Sequence, residues 1–269
     1  MKGGHRCQKR HGRSTDVPDA PLLPIISTLE SGHPQGFHSI RRNHAPQSTS
    51  SGRDELSPGP FMTVIVVENP KGGVGKSTLA TNLAGYFAAQ GEWVALADLD
   101  KQRSSHAWLS LRVDTLPKIE EWNIDVDAPG KPPKGLEKAV VDTPAGIHGN
   151  RLALSLQLAD KMIVPLQPSM FDILATQDFL AKLAKEKAVR KGAIEIGVVG
   201  MRVDARTRSA DQLHCFVEGL DLPVLGFLRD TQNYVQLAAH GLTIWDVAKS
   251  RVEKDLEQWA PIIEWIEKK

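Results

Sequence analysis

A chain of 269 residues, 41% hydrophobic and 24% charged, is long enough for one or two globular domains and a sizeable core. The formal net charge is +1, so no global basic field marks a nucleic-acid binder, and any DNA contact has to come from a local patch. The two cysteines, Cys7 and Cys215, make neither a disulfide framework nor a metal-ligand cluster and suit a reducing cytosol. No apolar run approaches the ~20 residues of a membrane span. Met1-Lys2 are followed by Gly-Gly-His-Arg rather than by the apolar stretch of a signal peptide.

Residues 1–61 are rich in Ser, Gly, Pro, His and Arg and carry eight Lys/Arg against five Asp/Glu. Such a segment buries too little to offset its ordering entropy, and its composition predicts disorder. Met62 stands directly before an apolar strand, which leaves two readings open. Residues 1–61 are an extension upstream of a native start at Met62, or they are a basic tail that touches DNA.

From Met62 onward strands and helices alternate. Thr63–Glu68 is a buried strand, and Gly75–Gln90 is a helix closed by Gly91. Glu92–Asp98 is a second strand, followed by a helix near Ser104–Leu111 and by a Pro- and charge-rich stretch, Asp114–Lys138, that reads mostly as loop. Ala139–Asp142, Lys161–Leu166, Ile194–Met201 and Val224–Leu228 read as further strands. Arg151–Leu158, Ile173–Lys187, Ala210–Glu218 and Tyr234–His240 read as helices. Ala248–Glu267 is a last helix, interrupted or kinked near Pro261. The alternation defines an α/β fold with a mostly parallel central sheet and helices on both faces. Ligands of such sheets sit beyond the carboxyl ends of the strands.

The segment Lys71-Gly72-Gly73-Val74-Gly75-Lys76-Ser77-Thr78 joins the first strand to the first helix. It departs from G-x-x-x-x-G-K-[ST] at one place, because Pro70 stands where the first glycine is required. The physics of a phosphate cradle is retained. Gly72, Gly73 and Gly75 let backbone N–H groups turn inward around a phosphate, and the helix N-terminus adds partial positive charge. Lys76 reaches phosphate oxygens and the Ser77 hydroxyl can ligate Mg2+. Val74 and Thr78 complete the candidate nucleotide contacts. The second strand ends in Asp98-Leu99-Asp100, whose alternate carboxylates share a face and suit Mg2+ binding and water positioning. The third ends in Asp142, a candidate Mg2+ ligand.

The box KGGVGKST resembles the deviant Walker A motif of the ParA/MinD superfamily of P-loop ATPases, and the likeness extends over residues 62–250. The resemblance implies ATP and Mg2+ as cofactors. It also implies that Lys71 is a signature lysine reaching the phosphates of a partner's nucleotide in an ATP-sandwich homodimer. The family's D-x-D-P-Q reads Asp98-Leu99-Asp100-Lys101-Gln102 here. Asp100 is then the residue that orients the attacking water, and Asp98 supports the metal shell. Lys101 in place of proline should loosen the switch. Asp142-Thr143-Pro144 resembles the family's γ-phosphate-sensing segment, and Gln167–Ser169 is a candidate frame for a dimer interface. The base is expected between Arg202 and Leu228, although the family often places an Asn where Gly200-Met201-Arg202 stands.

Basic residues in comparable regions of the family bind DNA through phosphates, and Arg206, Arg208 and Arg251 are the candidates here; an ordinary solvated surface is the alternative. Trp259, Ile262, Ile263 and Ile266 lie at helical spacing among balanced charges, which predicts packing on the domain rather than membrane binding. Trp93, Trp108, Trp122 and Trp245 read as core or interface residues. The resemblance is closest to short ParA proteins of plasmid or chromosome partition, which are cytoplasmic and nucleoid-associated. Such a protein dimerises on ATP, binds DNA non-specifically, and hydrolyses ATP slowly when a separate ParB-like or cargo adaptor stimulates it. A MinD-like regulator at a membrane and a metabolic or metallocluster-handling relative are the alternatives.

Overall fold

The structure is a computed structural model that describes residues 62–124 and 132–268; the expectations for residues 1–61 lie outside this range. Thr63–Val67 (β1) is a run of β-branched residues, and such residues favour a pleated, buried strand. Six more strands join it: Val94–Asp98 (β2), Glu120–Trp122 (β3), Lys138–Asp142 (β4), Lys161–Leu166 (β5), Glu195–Gly200 (β6) and Val224–Phe227 (β7). All pair in parallel, in the order β3-β2-β4-β1-β5-β6-β7. β1 is therefore central, and its carboxyl end opens between β4 and β5. This is the expected α/β architecture.

The period-two alternation of the strands divides the core. Ile65, Val67, Val94, Leu96, Val140 and Ile163 face the helices Lys76–Ala89 (α1) and Lys249–Glu267 (α8). Val64, Val66, Ala95, Ala97, Val141, Met162 and Val164 face the opposite layer, where Leu154, Leu158, Phe179 and Leu183 pack. That layer includes Asn150–Leu158 (α3) and Met170–Leu183 (α4). The apolar stripe of α8 is buried in the first layer, with Trp259 and Ile262 fully enclosed and Ile266 nearly so. Among the described residues no helix is long and apolar enough to cross a membrane.

Several expectations change. The stretch read as loop contains β3, whose Glu120–Trp122 pairs with Ala95–Ala97 and whose Trp122 is buried. α4 begins one turn early, because Ser169 O already accepts from the N–H groups of Asp172 and Ile173. It ends at Leu183, and a separate turn, Lys187–Arg190 (α5), follows where Val189 turns into the core. The break in α8 falls at Val252 (φ −126°), not at Pro261. Pro261 is exposed, as is Glu257, whose carbonyl loses the helical bond; solvent can replace that bond without bending the helix. Trp93 is not a core residue: it is half exposed and lies against Gly135.

Candidate nucleotide site

The turn between β1 and α1 requires glycine. Gly73 (φ 76°) and Gly75 (φ 98°) occupy the left-handed region that side chains disfavour. A Cβ on Gly75 would also come within 2.8 Å of Met201 Cε. α1 starts at Lys76 with no side-chain cap and no acidic residue in its first turn, so its N–H groups remain available to an anion. Lys76 is 7% exposed, and its Nζ donates to Asn69 O (2.9 Å) and Lys71 O (2.7 Å) on the inside of the turn. Burial pushes its pKa down, against the pull of Asp142, Glu68 and Asp100. Lys71 stands half-buried at the rim, its N–H held by Asn69 Oδ1. Gly72 and Gly73 are exposed, Val74 is buried, and Ser77 and Thr78 are half-buried at the head of α1.

The carboxylates converge from neighbouring strands but are used differently. Asp142, at the end of β4, is nearly fully buried. Its Oδ2 accepts from Ser105 Oγ, and its Oδ1 is buried without a hydrogen-bond partner. Burial pushes its pKa up to about 6, opposed by the Ser105 and Ser77 hydroxyls and by Lys76, while Asp98 reinforces the rise. β2 ends at Asp98, so Asp100 lies in a bend and the two do not share a strand face. Asp98 Oδ2 accepts from the N–H groups of Ser105 (2.9 Å) and His106 (3.2 Å), and its Oδ1 from Asp100 N–H (2.9 Å). The Asp98 carboxylate thus anchors the loop that carries Asp100 and the start of Ser104–Ser110 (α2).

A Mg2+ ion at a phosphate site is held mainly by phosphate oxygens and water, with one or two protein ligands. The described residues contain no group of three His, Cys, Asp or Glu side chains that could hold a metal alone. The unpartnered Asp142 Oδ1 beside Ser77 fits that smaller share. ATP fits the rest: the turn presents a helix N-terminus, two lysines and glycines whose bare backbone admits close approach.

Two loops close the rim. Gly146 N–H donates to Pro70 O (2.7 Å), tying the segment after Asp142 to the phosphate turn, and Gln167 Nε2 donates to Gly73 O (2.8 Å). A cavity of about 440 Å3 adjoins Gly75 and Thr78. Met201, Arg202, Leu228, Tyr234 and Val235 line it, so both candidate base residues meet there. Leu228 is fully buried, and Arg202 has φ 51°, a left-handed conformation that Asn tolerates better than Arg. Of the candidate DNA residues, Arg206 is exposed and folded onto Asp204 through two contacts (2.9 and 2.8 Å). That pairing holds Asp204 at about 2, well below the usual range. Arg208 begins the helix Arg208–Glu218 (α6), and Arg251 lies in the first turn of α8. Arg229, also basic and nearby in sequence, is bound to the buried Asp255 (2.6 Å).

Sequence reasoning missed Glu68, Asn69 and Ser105. Glu68 is fully buried, and burial raises its pKa to about 8, against the pull of Lys76 and of the Thr143 and Ser155 hydroxyls. Its signal was an acid at an even position of a strand whose even positions, Val64 and Val66, face the core. Asn69 Nδ2 donates to Pro165 O (2.8 Å) and Thr176 Oγ1 (2.9 Å), bracing the phosphate turn from below.

The profile of the CobQ/CobB/MinD/ParA nucleotide binding domain matches residues 65–244, and the chain belongs to that family, whose ParA/MinD members are ATPases. It is 30% identical over 195 residues, 68% of this chain and 84% of the relative, to a Maintenance of carboxysome distribution protein A of Gloeobacter kilaueensis. It is 26% identical over 182 residues, 55% of this chain and 73% of the relative, to the chromosome-partitioning ATPase Soj of Thermus thermophilus. The fold is that of a plasmid partition protein of Borrelia burgdorferi bound to AMPPNP, a crystal structure whose description calls it putative. The TM-score is 0.59 at 16% identity, over 76% of this chain and 99% of the other. A Cyanothece McdA–ATP complex gives 0.58 at 17% identity, over 76% and 97%.

Proposed function

We propose that the protein is an ATP-driven dimerising switch that positions a cargo, plasmid or chromosomal DNA or a protein assembly, by binding DNA non-specifically in its ATP form. The observation that carries this reading is the pair of lysines on one phosphate turn. Lys76 is buried on the concave side of the turn, and Lys71 is half-buried at the rim. One lysine serves the nucleotide in its own subunit. The other is free to meet the nucleotide of a second copy, so that ATP joins the two.

In this reading Gly72–Thr78 wrap the phosphates with backbone N–H groups, and Lys76 exchanges its two carbonyl partners for phosphate oxygens. Ser77 and Asp142 would hold Mg2+, whose charge would offset that of the phosphate oxygens. Asp100 orients the attacking water, while Asp98 keeps the Asp100 loop in place. Arg202 and Leu228 bound the base. Hydrolysis is slow and serves as a timer that a separate ParB-like or cargo adaptor shortens. Arg206, Arg208 and Arg251 bind DNA phosphates, Arg206 after leaving Asp204.

Sedimentation of wild type, Lys76→Ala and Asp100→Ala with ATP, with and without duplex DNA, tests the scheme. Asp100→Ala should form an ATP-dependent dimer that co-sediments with DNA, and Lys76→Ala should do neither. Dimers that ignore DNA at low salt would remove the DNA part of the proposal. The absence of any ATP-dependent dimer would remove the role given to Lys71.

A further inference from the structure

The loop that carries Asp100 contains neither proline nor glycine between Leu99 and Ser104. It is a turn: Arg103 N–H donates to Asp100 O at 3.0 Å, which places Lys101 at the second turn position. Gln102 N–H donates to Asp100 Oδ1 at 3.0 Å, so the Asp100 carboxylate takes its direction from the same turn. Arg103 closes the turn in the left-handed region, at φ 49° and ψ 44°. A non-glycine residue keeps that conformation only where its surroundings over-determine it.

Those surroundings are on β3 and the residue that follows it. Arg103 Nη2 donates to Glu121 Oε1 at 2.8 Å and to Asn123 Oδ1 at 3.0 Å. His106 Nδ1 lies 2.7 Å from the same Glu121 oxygen. On the other side of the α2 start, Ser105 Oγ donates to Asp142 and the Ser105 and His106 N–H groups donate to Asp98. The turn is thus held between the two inner strands and the edge strand. Glu121 is rigidly mounted, because β3 pairs with β2 in the register Leu96↔Glu121.

We propose that Glu121 is a positioning residue for ATP hydrolysis: through Arg103 it fixes the turn that aims the Asp100 carboxylate. The inference rests on the hydrolytic role given to Asp100 above. The Glu121 carboxylate accepts from the Arg103 guanidinium, a charge-assisted contact that a neutral side chain does not match. The turn position of Lys101 is one that favours proline, whose ring presets the backbone angle needed there. Proline at 101 would therefore hold the turn by backbone restriction alone.

Wild type, Glu121→Ala and the double variant Glu121→Ala/Lys101→Pro are compared in two ways. The first is steady-state ATP hydrolysis; the second is hydrogen exchange of the Leu99–His106 amides without nucleotide. Glu121→Ala is expected to lower kcat about tenfold, with KM for ATP held within about twofold, since a misaimed group slows chemistry without weakening phosphate binding. Exchange in the turn should rise, and Lys101→Pro should restore both readouts. Thermal unfolding checks that the exposed edge position leaves the fold intact. Unchanged kcat and exchange in Glu121→Ala would overturn the inference alone, as would a loss of kcat that proline does not restore. A wild type that does not hydrolyse ATP would overturn both this inference and the functional reading beneath it.

Discussion

Glu68→Gln should stabilise the protein at neutral pH, which is unusual for a change to a fully buried residue next to a functional loop. Burial holds the Glu68 carboxyl at about 8 in the folded chain, against 4.5 for an ordinary glutamate. The folded state therefore retains a proton that the unfolded chain releases above pH 4.5. Stability contributed by that proton is fully present below 4.5, declines as pH rises, and is lost once pH passes 8. At pH 7 the difference is about 2.5 pKa units, or about 3 kcal/mol at about 1.4 kcal/mol per unit. Glutamine has nearly the same shape and no proton to lose, so it removes this pH dependence. Urea unfolding of both proteins at pH 5, 7 and 8.5 measures it: the two curves should nearly coincide at pH 5 and separate by about 3 kcal/mol at pH 7. A variant less stable than wild type by a similar amount at all three values would refute the reasoning. It would mean that Glu68 is ionised and paired with Lys76.

Three other outcomes are expected. Asp255→Ala should lower stability by about 1–2 kcal/mol in denaturant unfolding, because the buried Asp255 accepts from both Arg229 and Asn233, a loss limited by the half-buried Arg229, which can turn to solvent instead. Arg202→Asn should raise stability by about 0.5–1 kcal/mol in the same assay, since Asn tolerates the left-handed backbone at φ 51° better than Arg. If DNA binds through Arg208, then Arg208→Ala should weaken affinity alike for all duplex sequences. In a salt titration the slope of log K against log salt should fall by about one.

What the sequence revealed and what it hid follow from the range of the interactions. The phosphate turn was legible because its glycines, lysine and hydroxyl are contiguous and their chemistry depends on local backbone. The alternation of strands and helices was legible because the inner strands are short apolar runs buried on both faces and longer segments with polar residues separate them. β3 was hidden because it is only three residues long, Glu120–Trp122, and an edge strand with two acids has no apolar alternation to show. The turn Ile244–Asp246 was legible in principle, since Thr243 and Asp246 form a capping box, but its single turn lay between two longer features. The hydrogen bonds of Asp98 to the backbone of Asp100, Ser105 and His106 were not legible in the sequence. Two acids flanking a leucine look equivalent in a strand, and only the end of β2 at Asp98 separates the one that accepts from the α2 start from the one that lies in the turn.

The packing of α8 has a practical consequence. Tyr234 lines the cavity beside Gly75, and the buried Trp259 donates from Nε1 to its hydroxyl at 2.9 Å. Trp259 in turn meets Trp245 edge-on at 5.9 Å, and Trp245 meets Tyr86 at 5.0 Å. A chain of aromatic contacts therefore runs from this cavity into the α1–α8 layer. Its indole emission should respond to whatever displaces the Tyr234 ring, which gives the protein a built-in optical readout of cavity occupancy without a label.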